Sequence, residues 1–514
     1  MSTFAAHSHT ASMNRRAFLM TAGVAGMTAV TSGAYAVQDG AGWDEVAEVV
    51  VVGSGAAGTA TAMAAIEAGA DVLVVEKGAT LGGISSACVQ FCAYDSKLHT
   101  PQPYADVTDS ADAMFEAAME VSGGTADPVF LRKLCDESAG VIDWMVDHGC
   151  SFKEALRPSD GRQGQGKYIT ATPGELISKI MPTVQEQARV LTECALTRVV
   201  RDPEIGRVTG VVCDTPNGEL HIQATKGVVI CSGPWPDDPV LGARHLPPMG
   251  EVPAQTAQAM AAKGMPYGPY TGEAVRAAQA IGAAVRHMEY IMPDPYYAPP
   301  AAMEQGIAAF GVSRSVDLML LGPDGKRFTN EGQQRGAIAR DIMAQEGCLC
   351  YPITDGHVIP GQMQMGGSQE VMDQWVANGF AACGNTFEEL AAQMEELFGT
   401  PADAVLQSLA AYNEACAAGE DPAFGKDPHY LTALDQPPFY AGPVATCRYL
   451  YTHGGLETTI DAQVLDVDGQ VIPGLYAAGM CTGGHLGADT ISGNWQVDCV
   501  VFGRIAGEHA ALLG

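Results

Sequence analysis

Basic residues are scarce in this chain. Lysine and arginine together number 28 against 59 aspartates and glutamates, a formal charge of −31 over 514 residues. A surplus of that sign repels polyanions, which argues against nucleic acid and against anionic membrane surfaces as partners. Cysteine is plentiful at 14, but the spacings that would give it a role are missing. There is no CxxC, no CxxCH and no ferredoxin spacing, so neither haem attachment nor a standard iron–sulfur motif is encoded, and no metal site is expected. Cys88-x3-Cys92 and Cys348-x-Cys350 are the only close pairs; Cys213, Cys231 and Cys499 lie in apolar runs, where a thiol behaves as a small hydrophobe. Repeats and low-complexity stretches are lacking as well. The apolar stretch Met20 to Val30 is too short and too rich in Gly and Ala to span a bilayer.

What is present describes a packed globular protein of two to three domains, with 47% hydrophobic and 17% charged residues. Asn14-Arg15-Arg16-Ala17-Phe18-Leu19, the short apolar stretch and Ala34-Tyr35-Ala36 together form a twin-arginine export signal over residues 1–36. The expectation is a bacterial protein carried folded, often with its cofactor inserted, to the periplasm or the outer face of the cytoplasmic membrane. After processing it is not an integral membrane protein.

The run Val49-Val50-Val51-Val52-Gly53-Ser54-Gly55-Ala56-Ala57-Gly58 reads as a buried parallel strand entering a glycine turn and a helix. Gly53 permits the turn, Gly55 lets backbone approach a pyrophosphate, and Gly58 lets helix and strand pack closely. The helix start at Ala56 and Ala57 turns N–H donors and positive dipole toward phosphates. Eighteen residues after Gly58, the strand Val72-Leu73-Val74-Val75 ends in Glu76, placed for a ribose hydroxyl, with Lys77 next to it. Gly82, Gly83 and Ser85 then suit backbone running tightly along a dinucleotide.

Residues 111–121 and 128–148 have the period of amphipathic helices. From Leu191 to Cys231, separate short β-rich runs (Thr197–Val200, Val208–Val212, Leu220–Ile222) predict a meander inserted into a doubly wound sheet. Val228-Val229-Ile230-Cys231-Ser232-Gly233 predicts the strand that returns to the cofactor. Thr271-Gly272-Glu273-Ala274 then opens a helix that runs to Ile281. Between 289 and 451 the composition shifts toward Met, Gln, Pro and Tyr, the mark of an inserted α+β cap. The sheet pattern resumes with a hairpin at Asp466–Gly469 and with Ile472–Gly479, and a last helix starts near Asn494. The domains expected are a dinucleotide-binding domain over 37–288 and 452–514, and a cap over 289–451.

Four stretches resemble the fumarate reductase/succinate dehydrogenase flavoprotein family, whose soluble members include urocanate reductases and 3-ketosteroid dehydrogenases. They are Val51–Gly58 with Glu76-Lys77, Asp324-Gly325-Lys326-Arg327-Phe328-Thr329-Asn330-Glu331, Gly474-Leu475-Tyr476-Ala477-Ala478-Gly479, and Phe502-Gly503-Arg504-Ile505-Ala506-Gly507. The likeness runs from about residue 46 to 514 and implies FAD in a Rossmann-like α/β domain, with a cap closing over flavin and substrate. Gly233, Gly479, Gly493 and Asn494 join the implied cofactor contacts. The family's chemistry is hydride transfer from the flavin to the β-carbon of an electron-poor alkene, with protonation of the α-carbon by an arginine. The matching position is Arg335, five residues after Asn330. An arginine holds its proton firmly and serves as an acid only if it quickly regains it; the plainer alternative is pairing with a carboxylate or an enolate oxygen.

The departures bear on substrate. Where dicarboxylate reducers of the family carry an arginine and two histidines, this chain has Thr490, Asp294 and Tyr451; Gly311 stands at a relay carboxylate, while Arg314 is kept. Two buried carboxylates need charged donors, so fumarate and succinate are disfavoured. Tyr290, Tyr296, Tyr297, Tyr449 and Tyr451 flank the cap and suit a ring-bearing enone or lactone. Asp489 stands where steroid-acting relatives use a carbonyl-binding tyrosine. His453 and His485 are open to either site or packing roles. The reading is an exported FAD-dependent reductase of an activated C=C bond in a bulky acceptor. Its electrons come from an external donor, a cytochrome or a quinol-linked membrane protein. The alternatives are a ketosteroid-type dehydrogenase and a non-catalytic flavoprotein electron-transfer subunit.

Overall fold

The valine run becomes a strand because both of its faces are covered. Val49 and Val51 enter one hydrophobic core, and Val50 and Val52 enter a second on the opposite side. Val72 and Val74 repeat that division against Leu73 and Val75. A strand buried on both faces has no polar positions, which is why these segments read as continuous apolar runs. The computed structural model describes residues 42–94, 110–158, 167–172, 174–245, 270–297, 318–357, 369–442 and 445–514. The export signal at 1–36 and Gly311 and Arg314 lie outside the described residues. Of Asp294, Tyr296, Tyr297, Arg335 and Tyr449 only the backbone is described.

The central sheet runs, in order, through Gln463–Leu465, Val471–Ala477, Gly218–Ile230, Glu45–Val52, Val72–Val75 and Arg189–Leu191. Its last five strands are mutually parallel, and Gln463–Leu465 pairs antiparallel at the edge. Ala195–Arg201 and Val208–Thr215 form the meander, joined antiparallel to Gly218–Ile230. One expectation fails here. Leu220–Ile222 and Val228–Ile230 are not separate strands but the two ends of a single strand of 13 residues. Its first part pairs with the meander and its last part with Glu45–Val52 and Val471–Ala477. Gly227, within that strand, makes room: a β-carbon there would come 3.0 Å from the Tyr476 ring.

The helix Ala56–Glu67 is buried through Ala65, so its polarity gives no amphipathic stripe. It crosses the C-terminal helix Asn494–Leu513, which is buried at 14 positions. The helix Pro128–Asp147 is capped by Asp127, whose carboxylate accepts the Val129 N–H and also receives Arg286 Nη1 at 2.8 Å. A second antiparallel sheet is built between residues 291 and 452, in the order Ile291–Tyr297, Ala445–Thr452, Leu349–Thr354, Phe439–Ala441 and Ala382–Gly384. It has its own cores, with Phe387–Phe398 and Ala402–Ala418 on one face and Arg335–Met343 on another. Ile291–Tyr297 enters this sheet and Ala445–Thr452 leaves it, the two paired antiparallel with Met292 opposite Tyr451. Among the described residues no helix is long and apolar enough to cross a membrane.

Candidate functional site: a dinucleotide cleft joined to a cap helix

A cavity of about 480 Å³ opens at the carboxyl ends of the parallel strands, where an α/β sheet binds ligands. Gly53 sits at φ 105°, and its missing side chain accommodates the carbonyl of Cys231. A β-carbon on Gly58 would overlap the Gly53 carbonyl, so the helix start and strand end meet backbone to backbone. Gly55 differs: for a β-carbon built there, the nearest neighbour among the described residues beyond its chain neighbours is Ser85 Oγ, at 3.7 Å. A side chain there would occupy the cleft itself.

Glu76 lines this cleft and ties its floor together. Its Oε2 accepts the Ser54 N–H (3.0 Å) and Ser54 Oγ (2.7 Å), and Oε1 accepts the Gly78 N–H at 2.8 Å. A carboxylate has about four acceptor positions, so room remains for one hydroxyl. Gly82 donates its N–H to Ser54 Oγ at 2.9 Å, which brings the Gly82–Gly83 turn onto the same staple. Ser85 Oγ accepts the Ala56 N–H at 3.0 Å, so that first helical donor is satisfied within the protein rather than directed at a ligand. Ala57, Gly83 and Gly233 line the cleft, while Gly479 packs behind it with a would-be β-carbon 2.8 Å from Ala57 Cβ. At the other end Lys77 Nζ donates to Thr271 Oγ1 (2.8 Å) and Glu273 Oε1 (3.0 Å), and all three residues line the cavity.

Gly493 and Asn494 open the C-terminal helix. Gly493, at φ 90°, lies against the backbone of Phe91 and Cys92. Asn494 is fully buried, yet among the described residues neither its Oδ1 nor its Nδ2 has a hydrogen-bond partner. Such a group is costly unless a ligand completes it. Two residues on, Gln496 lines the cleft and its Nε2 donates to Cys88 Sγ at 3.2 Å. Cys231 and Cys499 also line the cavity. Burial pushes the Cys88 thiol up to about 12 and those of Cys231 and Cys499 upward too, so all three are neutral thiols rather than nucleophiles.

The helix start also reaches the cap. Trp495 packs on Tyr451 with ring centroids 5.0 Å apart, and Tyr451 is 8% exposed. His453, two residues later, is buried; its N–H donates to the Tyr290 carbonyl and its Nδ1 lies 2.7 Å from the Gly487 carbonyl. Asp489 and Thr490 follow on that loop, both buried, with the Thr490 N–H donating to Asp489 Oδ1 at 2.9 Å. Asp489 packs against Gly336, the second residue of the cap helix that begins at Arg335. His485 belongs elsewhere: it stacks on Phe130 at 4.2 Å, with Nδ1 2.9 Å from Asp498 Oδ1, inside the core. Asp294 and Tyr297 stand on the entering strand, opposite Arg448 and Thr446.

The segment ahead of Arg335 is held by a buried ion cluster. Arg327 donates from Nε and Nη2 to the two oxygens of Glu331 (2.9 and 2.8 Å), and Nη2 also meets Asp421 at 2.8 Å. Lys426, with no exposed side-chain surface, lies 3.4 Å from Glu331 and donates to Tyr412 Oη and the Leu318 carbonyl. Burial lowers the Lys426 pKa, whereas for Arg327 the bonds to Glu331 and Asp421 outweigh burial and raise it. Thr329 Oγ1 donates to Asp341 Oδ2 at 2.6 Å, tying the segment to the cap helix. Asp355, His357 and Asp435 come within metal-ligating distance of one another, but the Asp355 carboxylate already accepts the N–H groups of His357, Asp435 and Gln436. It anchors a turn.

A family model described as an FAD binding domain matches residues 48–495. The chain belongs to the FAD-binding domain family. It is 28% identical over 479 residues to a cytochrome-type fumarate reductase of Shewanella frigidimarina, covering 91% of this chain and 77% of that one. It is also 28% identical over 497 residues to the vinyl phenol reductase of Lactiplantibacillus plantarum, covering 90% and 96%. Among solved structures it superposes on the 3-ketosteroid Δ4-(5α)-dehydrogenase of Rhodococcus jostii with a TM-score of 0.72 and 25% identity, over 93% of this chain and 99% of that one. The cofactor is FAD and the protein is an FAD-dependent oxidoreductase. The residues fit the group: Gly55 leaves its approach open, Glu76 keeps an acceptor position, and the orphaned amide of Asn494 awaits polar atoms.

Sequence reasoning missed Gln496, Cys499 and the Thr271–Glu273 wall, which carry no local signature. It also missed Asp421 and Lys426, which meet the Arg327 motif only through the fold.

Proposed function

We propose that this protein reduces an activated C=C bond in a bulky, non-dicarboxylate acceptor, drawing electrons from an external donor. The bound flavin, when reduced, supplies a hydride to the β-carbon of the acceptor. Arg335, at the start of the cap helix, donates the proton to the α-carbon and regains one from its surroundings. Its protonated guanidinium can stabilise the developing enolate in a site sealed from water. Tyr451 and Trp495 offer an apolar wall for a ring, and His453 offers a polar contact for a carbonyl.

The observation that carries this reading is the buried pair Asp489–Thr490 on the loop facing the cap helix. A carboxylate placed there opposes a second carboxylate from the substrate, whereas fumarate needs cations at such a position. The relatives support the chemistry: one reduces fumarate by name, and one vinyl phenol. The likeness to a ketosteroid dehydrogenase favours a second reading, the reverse reaction on a saturated ketone with Tyr451 as base. Anaerobic turnover with reduced viologen against fumarate, vinyl phenols, cinnamates and steroid enones tests the first. An artificial electron acceptor with saturated ketones tests the second, and activity confined to that assay would reverse the order. Export is part of the same proposal: replacing Arg15 and Arg16 by lysine should leave unprocessed protein inside the cell.

A further inference from the structure

Asp489 is badly placed for binding substrate alone. It belongs to the loop that follows Gly487, yet its carboxylate occupies the space that a side chain on Gly336 of the cap helix would take. A β-carbon on Gly336 would lie 2.8 Å from Asp489 Cγ and would overlap Oδ2. Asp489 is 3% exposed, and the Thr490 N–H bonded to Oδ1 fixes the orientation of the carboxylate. Arg340 Nη2, one turn along the same helix, stands 3.8 Å from Oδ2. The cap helix runs Arg335–Met343, and its N-cap residue Gln334 gives no side-chain cap. The first turn of that helix therefore meets a carboxylate from another part of the chain where its own sequence provides none. Negative charge is favoured at that position by the helix dipole.

We propose that Asp489 is the positioning residue for Arg335. It reaches from the flavin-side loop to hold the first turn of the cap helix, and sets a fixed negative charge beside it. A carboxylate held against the first turn restricts where that turn, and the residue that opens it, can lie. Glycine at 336 is what lets the two segments approach this closely. The inference rests on Arg335 as proton donor, and it gives Asp489, whose charge already disfavours a second carboxylate, a supporting role for that donor.

The test uses the flavin-loaded protein with Asp489→Ala, Gly336→Ala and the double variant. For Asp489→Ala the expected result is full flavin content and kcat lower by roughly 10-fold or more, with KM changed far less, as for loss of a group that orients chemistry. Gly336→Ala should do the same. The double variant should be no worse than Asp489→Ala alone, because alanine at 489 leaves space for the new methyl; contacting residues couple in this way. Amide hydrogen exchange across residues 335–343 should quicken in Asp489→Ala. Additive effects of the two substitutions, a rise in KM with kcat intact, or unchanged exchange in the cap helix would each overturn the proposal. If the wild-type protein reduces no alkene, the function reading falls instead. The exchange and the coupling, then read in thermal stability, still decide whether Asp489 holds the helix.

Discussion

Gly507 lies directly on the carbonyl oxygen of Thr61, with no space for a β-carbon between them. One turn earlier Gly503 meets Ala57 in the same way, 2.7 Å from the position its β-carbon would take to the Ala57 oxygen, and Thr61 Oγ1 donates to the Gly503 carbonyl at 2.9 Å. The two helices whose first turns face the cleft are thus set by glycines further along the C-terminal helix.

Gly507→Leu should therefore loosen the cofactor site from a distance. Overpacking a tight contact costs about 1–3 kcal/mol, and the displaced helix carries Asn494. The flavin-to-protein absorbance ratio and the melting temperature should both fall. A variant that melts like wild type and stays fully yellow contradicts the crossing described above.

Asn494→Leu should act in opposite directions on the two forms of the protein. A buried amide without partners costs about 1–3 kcal/mol, which leucine relieves in the cofactor-free protein. Flavin binding should weaken, by roughly 10-fold for one lost hydrogen bond of about 1.4 kcal/mol. Melting of flavin-stripped protein and a fluorescence titration with FAD give the two numbers. Unchanged FAD affinity would remove Asn494 from the site.

The Arg327 cluster predicts a particular acid sensitivity. Burial alone would raise the Asp421 carboxyl, but the hydrogen bond and charge of Arg327 and the N–H of Lys426 outweigh it and hold the pKa below its ordinary value. The unfolded chain then binds more protons in the window between the two values. This contribution is complete above the unfolded pKa, about 3.9, and is lost as pH falls through the lower folded value. Denaturant unfolding between pH 3 and 7 should show it, with a shallower acid slope in Asp421→Asn. An identical slope would refute the linkage.

Arg335→Ala should keep its flavin and lose turnover by roughly 10²–10⁴, the usual worth of a positioned proton donor. Arg335→Lys should recover part of it if charge, rather than shape, is what counts. Flavin absorbance and viologen-coupled reduction separate the two effects. Retained turnover in Arg335→Ala would leave the proton to another group.

The cofactor half of the protein was legible because its rules are local. A strand buried on both faces shows as Val49–Val52, and the close packing at Gly58 shows as a glycine where a helix begins. The meander was misread between Leu220–Ile222 and Val228–Ile230, two short β-rich runs that are one strand of 13 residues, because the pairing that joins them lies on strands distant in sequence. The substrate half was legible only in part. That Asp489 would meet Gly336, or Lys426 meet Glu331, depends on segments far apart in sequence, and no periodicity encodes such encounters. His485 could be either site or core by sequence; its neighbours Phe130 and Asp498 decide for the core.

The strand Gly218–Ile230 lies between Glu45–Val52 and Val471–Ala477, and Asn494 comes only after the last of these. Synthesis must therefore reach Asn494 before the nucleotide has anywhere complete to settle. Flavin loading is in that sense a checkpoint on synthesis as far as the last helix: a chain cut short before Asn494 keeps the glycine turn but lacks Asn494 and Gln496, and should emerge colourless.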